Sequence, residues 1–163
     1  VSVEFEDYSI KVKDVIREKA LTFLEEAGSE VESMTVRNQV RDTGQTAGSF
    51  DHVVDDGDLA VHIGSNYENA IWEEFGTGEF AEKGDGRKGY WVFVKGSSGG
   101  GKGGKSYSTI GEAKRAMAIL RKKGLEAYYT KGKKARHPFK NAYDSSKSKI
   151  IKHAEQVFGG LSS

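Results

Sequence analysis

The chain has 163 residues, 30% charged and 36% hydrophobic, which suits one domain with a single core and leaves too little for two. It contains no cysteine, which removes disulfides, thiolate nucleophiles and zinc–thiolate sites and fits a cytosolic origin. No apolar run approaches the ~20 residues that cross a bilayer, no signal-peptide pattern opens the chain, and Val1 in place of methionine suits a processed or trimmed chain.

Residues 1–7 alternate apolar and acidic side chains, as a short edge strand does. Over residues 9–38 the period changes. Val12, Ile16, Ala20, Phe23, Ala27, Val31 and Met34 recur at intervals of three or four and draw the apolar stripe of a long amphipathic helix. Gly28 weakens that helix by about 1 kcal/mol relative to alanine, and Asp42-Thr43-Gly44 is the expected stop. Two strands follow, residues 49–54 and 59–64, with Leu59, Val61 and Ile63 on one face. Between them Asp55-Asp56-Gly57-Asp58 carries the Asp-Gly signature of a tight hairpin. Those aspartates, with His52 and His62 close in sequence, invite a metal reading. The loop lacks the ligand series and terminal glutamate of a calcium-binding EF-hand, and turn chemistry accounts for it.

Residues 67–78 (Tyr-Glu-Asn-Ala-Ile-Trp-Glu-Glu-Phe-Gly-Thr-Gly) form the stretch around which the chain is organised. One or two helical turns offer apolar surface from Tyr67, Ala70, Ile71, Trp72 and Phe75 and charge from Glu68, Glu73 and Glu74. Gly76-Thr77-Gly78 then stops the helix, since glycine takes positive φ without penalty. Residues 90–94 are apolar on both faces and predict a buried strand. A low-complexity loop of Gly, Lys and Ser runs from Lys95 to Ser106. A short helix over 110–123, capped by Gly124, a strand near 126–130 and a last helix from Pro138 to about Phe158 complete the order.

Chemical motifs are few. Gly99, Gly104, Lys105 and Ser106 satisfy the phosphate-loop pattern, yet that chemistry needs a helix opening at the Lys-Ser pair, and Tyr107-Ser108-Thr109 follows instead. His52, His62, His137 and His153 have no ligand spacing, no serine sits in a nucleophile elbow, and the adjacent Glu73 and Glu74 point about 100° apart on a helix. The residues offer no catalytic constellation and no cofactor site, so an enzyme is not expected.

Charge is distributed unevenly. Residues 1–78 hold 6 Lys/Arg against 17 Asp/Glu, residues 79–137 hold 15 against 5, and residues 138–163 hold 4 against 2. Three explanations stay open: a nucleic-acid contact on the basic side, internal neutralisation, or one copy's basic surface meeting the next copy's acidic surface head to tail. The basic stretch 83–136, with Tyr90, Trp91, Tyr107, Tyr128 and Tyr129 among its cations, carries the nucleic-acid alternative without a recognised binding motif.

The order of elements carries a resemblance. A long amphipathic helix, Thr43-Gly44, a hairpin ending in Ile63-Gly64-Ser65, the Tyr67 to Gly78 stretch with its Glu-Phe-Gly-Thr-Gly centre, and Ala135-Arg136-His137-Pro138-Phe139 opening a helix that contains Ala142 follow in turn. This resembles the tail-completion (head–tail joining, neck) family of long-tailed bacteriophages and prophages. The chain departs from the family pattern at Gln45-Thr46-Ala47-Gly48, where an apolar residue is expected soon after the glycine, and in a longer, more basic stretch over 79–134.

The resemblance implies an α+β fold in one domain, 1–163. A small antiparallel sheet would pack against the N-terminal and C-terminal helices, while composition, not the resemblance, marks a flexible, basic, glycine-rich insertion at about 79–109. It also implies a non-enzymatic virion protein, made in the bacterial host cytoplasm and placed at the neck. Copies would form a six-fold, head-to-tail ring between the head connector and the tail tube or terminator protein. The adjacent tail-terminator ring is the alternative within this class. The expected assembly-interface residues are Tyr67, Trp72, Glu74, Phe75, Gly76, Thr77, Gly78, Trp91, Pro138 and Phe139, with Trp72, Phe75 and Trp91 as apolar anchors.

Overall fold

The structure, a computed structural model, describes residues 8–40, 44–96 and 104–160. The expected strand at 1–7, the helix stop at Asp42-Thr43 and the centre of the glycine-rich loop lie outside the described residues. The fold is α+β. Helices α1 (Ser9–Asn38), α2 (Glu68–Phe75), α3 (Ile110–Lys122) and α4 (Pro138–Gly159) alternate with strands β1 (Phe50–Asp55), β2 (Ala60–Ser65), β3 (Trp91–Val94) and β4 (Ala127–Thr130). The chain divides into two compact units, one of Val1–Tyr67 with Pro138–Ser163 and the other of Glu68–His137. The strands form two antiparallel pairs, β1–β2 in the first unit and β3–β4 in the second, where one small sheet was expected.

In the first unit α4 runs antiparallel to α1. Asn38 Nδ2 donates to Pro138 O at 3.1 Å, Lys149 pairs with Glu30 at 2.7 Å, His153 meets Glu26, and Phe23 packs edge-on against Phe158 at 5.7 Å between ring centroids. These contacts step back along α1 as they advance along α4, so α4 is exhausted near Phe23. Every residue from Tyr8 to Lys19 is consequently exposed. The apolar stripe continues through Tyr8, Val12, Val15 and Ile16 with no element of the first unit over it among the described residues.

The other side of α1 carries the hairpin. β1 and β2 pair from Phe50↔Ser65 to Asp55↔Ala60, and Asp55 Oδ1 accepts from Gly57 N at 2.8 Å and Asp58 N at 3.1 Å, as turn chemistry requires. Leu59 takes φ 47° and belongs to the turn, which corrects its expected place on the strand. The residues after Gly44 make a short 3-10 turn, Ala47–Ser49, with Gly48 N donating to Gly44 O at 2.9 Å. That turn buries Ala47 ahead of the strand, which starts only at Phe50.

Gly28 is where hairpin and helix touch. A Cβ there would lie 2.5 Å from His52 Cδ2 and 2.7 Å from Val61 Cγ2. The helix continues through this glycine because the strands need its missing side chain.

In the second unit β3 pairs with β4 from Trp91↔Thr130 to Val94↔Ala127, and α3 packs on both strands. Thr109 caps α3 with a reciprocal capping box to Glu112, and Arg121 Nε donates to Ala127 O at 2.9 Å. Ala113 and Ala127 are fully buried. Small side chains at both positions allow the helix to approach the sheet.

Among the described residues the buried hydrophobic side chains are Ala27, Val31, Ala47, Ala70, Trp91, Ala113, Ala127 and Ala142. No helix among them is long and apolar enough to cross a membrane. Gly28→Ala should lower stability by about 1–3 kcal/mol, because overpacking against His52 and Val61 exceeds the gain in helix propensity. Thermal or urea denaturation checks this, and a variant more stable than wild type would mean that the hairpin does not sit this close to α1.

Candidate interaction surfaces

The organising stretch docks onto residues 131–136 inside the second unit. Thr77 N donates to Lys133 O at 2.8 Å and Lys133 N returns a bond to Thr77 Oγ1 at 3.0 Å. Glu79 N donates to Lys131 O at 3.0 Å, and Arg136 N to Glu73 O at 2.9 Å. Gly76 (φ 73°) and Gly78 (φ 61°) turn the chain into this antiparallel contact. They also make it possible sterically. A Cβ on Gly76 would lie 2.6 Å from Phe80 O and 2.8 Å from both Ala135 N and Lys133 O, while one on Gly78 would meet Trp91 Cη2 at 2.6 Å. The two glycines therefore do more than end a helix.

This docking fixes which way α2 faces. Ala70 is buried, and Glu73 and Glu74 are half-buried on the same side. Lys133 pairs with Glu73, and His137 lies 3.8 Å from Glu74 and 2.8 Å from Glu82. Glu73 and Glu74 are thus structural carboxylates with separate partners. On the opposite side Ile71, Trp72 and Phe75 are 59%, 41% and 41% exposed.

The expected interface residues separate accordingly. Trp72 and Phe75 face outward, while Gly76, Thr77 and Gly78 face inward. Trp91 is only 8% exposed, held between Gly78 and the Arg87 guanidinium, which stands 5.1 Å over its ring. It is a core residue of its own unit, and this corrects its expected role as an anchor for a neighbour. Tyr67, Pro138 and Phe139 belong to the first unit. Tyr67 donates to Gln45 Oε1 at 3.1 Å, Pro138 is buried and Phe139 half-buried. The exposed first turns of α1, with Ile10 73% exposed, were not among the expected interface residues. Periodicity marks an apolar face and carries no signal of what covers it.

The polar clusters are accounted for by their own bonds. Lys105 and Ser106 of the phosphate-loop pattern precede a bridge between Tyr107 and Tyr90, and α3 opens only at Ile110. Ser106 Oγ accepts from Arg87 Nε at 2.9 Å, so this hydroxyl is engaged by a side chain and does not open a helix. Glu32, Asp51 and His52 form the one group among the described residues whose donor atoms gather as metal ligands do. There His52 Nδ1 meets Glu32 Oε2 at 2.5 Å, Nε2 meets Glu25 Oε1 at 3.2 Å, and Asp51 Oδ1 accepts from His52 N at 2.8 Å.

That arrangement is a proton clamp. Glu25 and Glu32, two turns apart on α1, hold the imidazole of β1 over Gly28. The hydrogen bond to Glu32 raises the His52 pKa above its ordinary 6.5, burial opposes the rise, and Glu25 adds to it. β2 presents Val61 to this ring, and Ile63 lies opposite His52 in the ladder. Because the folded-state pKa is raised, the contribution to stability is complete below about 6.5, the unfolded value, and fades as pH rises through the folded value. Wild type should therefore lose stability relative to His52→Gln as pH climbs from about 6 to 8. Parallel denaturation curves for the two proteins across that range would show that the clamp is not protonated. Gly76→Ala should unfold the second unit, read as lost protection of Thr77 and Glu79 amides in hydrogen exchange. Retained protection would mean that the docked loop tolerates a side chain.

Compared with known protein families, characterised proteins and solved structures, the chain matches none.

Proposed function

We propose that the protein is a structural component of the head–tail joint of a long-tailed phage or prophage, a tail-completion (neck) protein that works by assembling copies of itself into a ring. The observation that carries this reading is the inversion of its apolar side chains. Buried positions are mostly alanine, whereas Ile10, Val12, Val15, Ile71, Trp72 and Phe75 stand at the surface. Exposed apolar area of this kind is what a protein completed by neighbours presents. The order of motifs that carries the resemblance supports the same reading. So does the charge division, since the first unit holds 10 Lys/Arg against 16 Asp/Glu and the second 15 against 8. Opposite signs on two surfaces of one chain favour head-to-tail contact between copies and set its register.

Function in this reading is assembly, with no chemical step. Trp72 and Phe75 are the anchors on α2, and burying each removes apolar surface worth about 25 cal/mol per Å². Deleting the gene from a producer strain should leave full heads and separate, finished tails in electron micrographs. Tails of uncontrolled length would instead point to the terminator position, and joined, infectious particles would end the structural reading. The double variant Trp72→Ala/Phe75→Ala should fold, because both rings are exposed, and should fail to restore joined particles. Complementation by a folded double variant would remove α2 from the interface.

A further inference from the structure

The positive charge of the second unit is concentrated on α3, where Glu126, which accepts from the Tyr128 hydroxyl at 2.5 Å, borders the outer face. Glu73 is paired with Lys133, Glu79 with Lys131, Glu126 with Lys95, and Glu82 with His137, while Glu112 is committed to the cap of α3. The outer face of α3 has no such balance. Its inner face is Ala113, Ala116, Met117 and Leu120, and the remaining positions expose Lys114, Arg115, Arg121 and Lys122 around Ala118, with Ile119 exposed beside them. No carboxylate pairs with Lys114, Arg115 or Lys122 among the described residues. Beside this face lie the tyrosines of β4: Lys114 Nζ stands 5.9 Å over Tyr129, and the Arg121 guanidinium 5.4 Å over Tyr128. Tyr128 in turn stacks on Phe93 at 5.8 Å and remains exposed.

We infer that the outer face of α3, with Tyr128 at its border, binds the sugar–phosphate backbone of nucleic acid without reading its sequence. Lys114 and Arg121, and likewise Arg115 and Lys122, are seven residues apart, about 10 Å along the axis at 1.5 Å per residue. That separation matches about three phosphate steps of one strand at 3.4 Å each. Small Ala118 between the two rows lets a backbone approach them. Lysine and arginine held over tyrosine rings stay extended at the surface instead of folding onto a carboxylate. The face formed by Lys114, Arg115, Ala118, Arg121 and Lys122 is built from cations and carries no acidic or amide side chain, so affinity rests on counterion release. The inference is independent of the ring proposed above. A chain that assembles and ignores nucleic acid overturns it and leaves the neck reading standing.

The test is fluorescence anisotropy of the full chain with a labelled 20-base-pair duplex and the matching single strand, from 50 to 200 mM salt. Binding should weaken steeply with salt, with a log–log slope of about −3 to −4 for four neutralised phosphates of duplex. Lys114→Gln/Arg115→Gln/Lys122→Gln should fold normally and flatten that slope by about 2 to 3. Arg121 is left intact because it holds the Ala127 carbonyl. A control, Lys88→Gln/Lys105→Gln/Lys134→Gln, removes equal charge from other exposed positions and should change the slope far less. Absence of binding at 50 mM salt, or equal losses in the two triple variants, would overturn the assignment.

Discussion

The second unit depends on the meeting of two backbones at Gly76-Thr77-Gly78 and Lys131–Arg136. Reciprocal bonds between Thr77 and Lys133 and the flanking bonds of Glu79 and Arg136 make a ladder. No side chain could stand between its rails at Gly76 or Gly78. Much follows from that contact. It turns Glu73 and Glu74 toward Lys133 and His137, and it leaves Ile71, Trp72 and Phe75 as the outer face of α2. It also seals Trp91 beneath Gly78.

The first unit uses glycine differently. Gly28 lies mid-helix at ordinary helical geometry, and its value is the space it leaves for His52 and Val61. Closeness makes the clamp possible, since the imidazole reaches Glu25 and Glu32 from directly above the helix backbone. The ring's hydrogen bonds therefore tie β1 to α1 where small residues already tie them by packing. Arg17 adds a second tie at the hairpin tip, donating to the Asp56 carbonyl at 2.5 Å. Beyond Arg17 neither the hairpin nor α4 accompanies α1.

Much of this architecture was legible in the sequence. The extent of α1, the hairpin at Asp55–Asp58, the Ile110 start and Gly124 stop of α3 and the Pro138 start of α4 rest on local signals, and the structure places them within a residue or two. What stayed hidden depends on distant partners. Sequence offers Gly28 as a helix weakness and Gly76-Thr77-Gly78 as a stop, because the groups that crowd them come from β1, β2 and residues 131–135. Trp91 reads as an anchor or as core with equal ease until the loop that covers it is located. The split into two strand pairs is similarly illegible, since nothing in Tyr90–Val94 names Ala127–Thr130 as its partner over the hairpin.

The exposed start of α1 bears on how the proposed assembly would couple to folding. A helical segment of about 11 residues is marginal in water even with good formers, and this one contains Ile10, Val12, Val15 and Ile16, whose branched side chains lose rotamer freedom in a helix. Continuity with the packed half of α1 removes the cost of nucleation but supplies no burial. Interaction with a surface that covers Val12 and Ile16 would contribute most where the helix itself contributes least. In a protein whose buried side chains are mainly alanine, such contacts are large relative to the interior. In the proposed assembly the surfaces that a neighbour would cover and the elements that hold the chain together would be the same elements, so order at the start of α1 and occupancy of its face should rise and fall together.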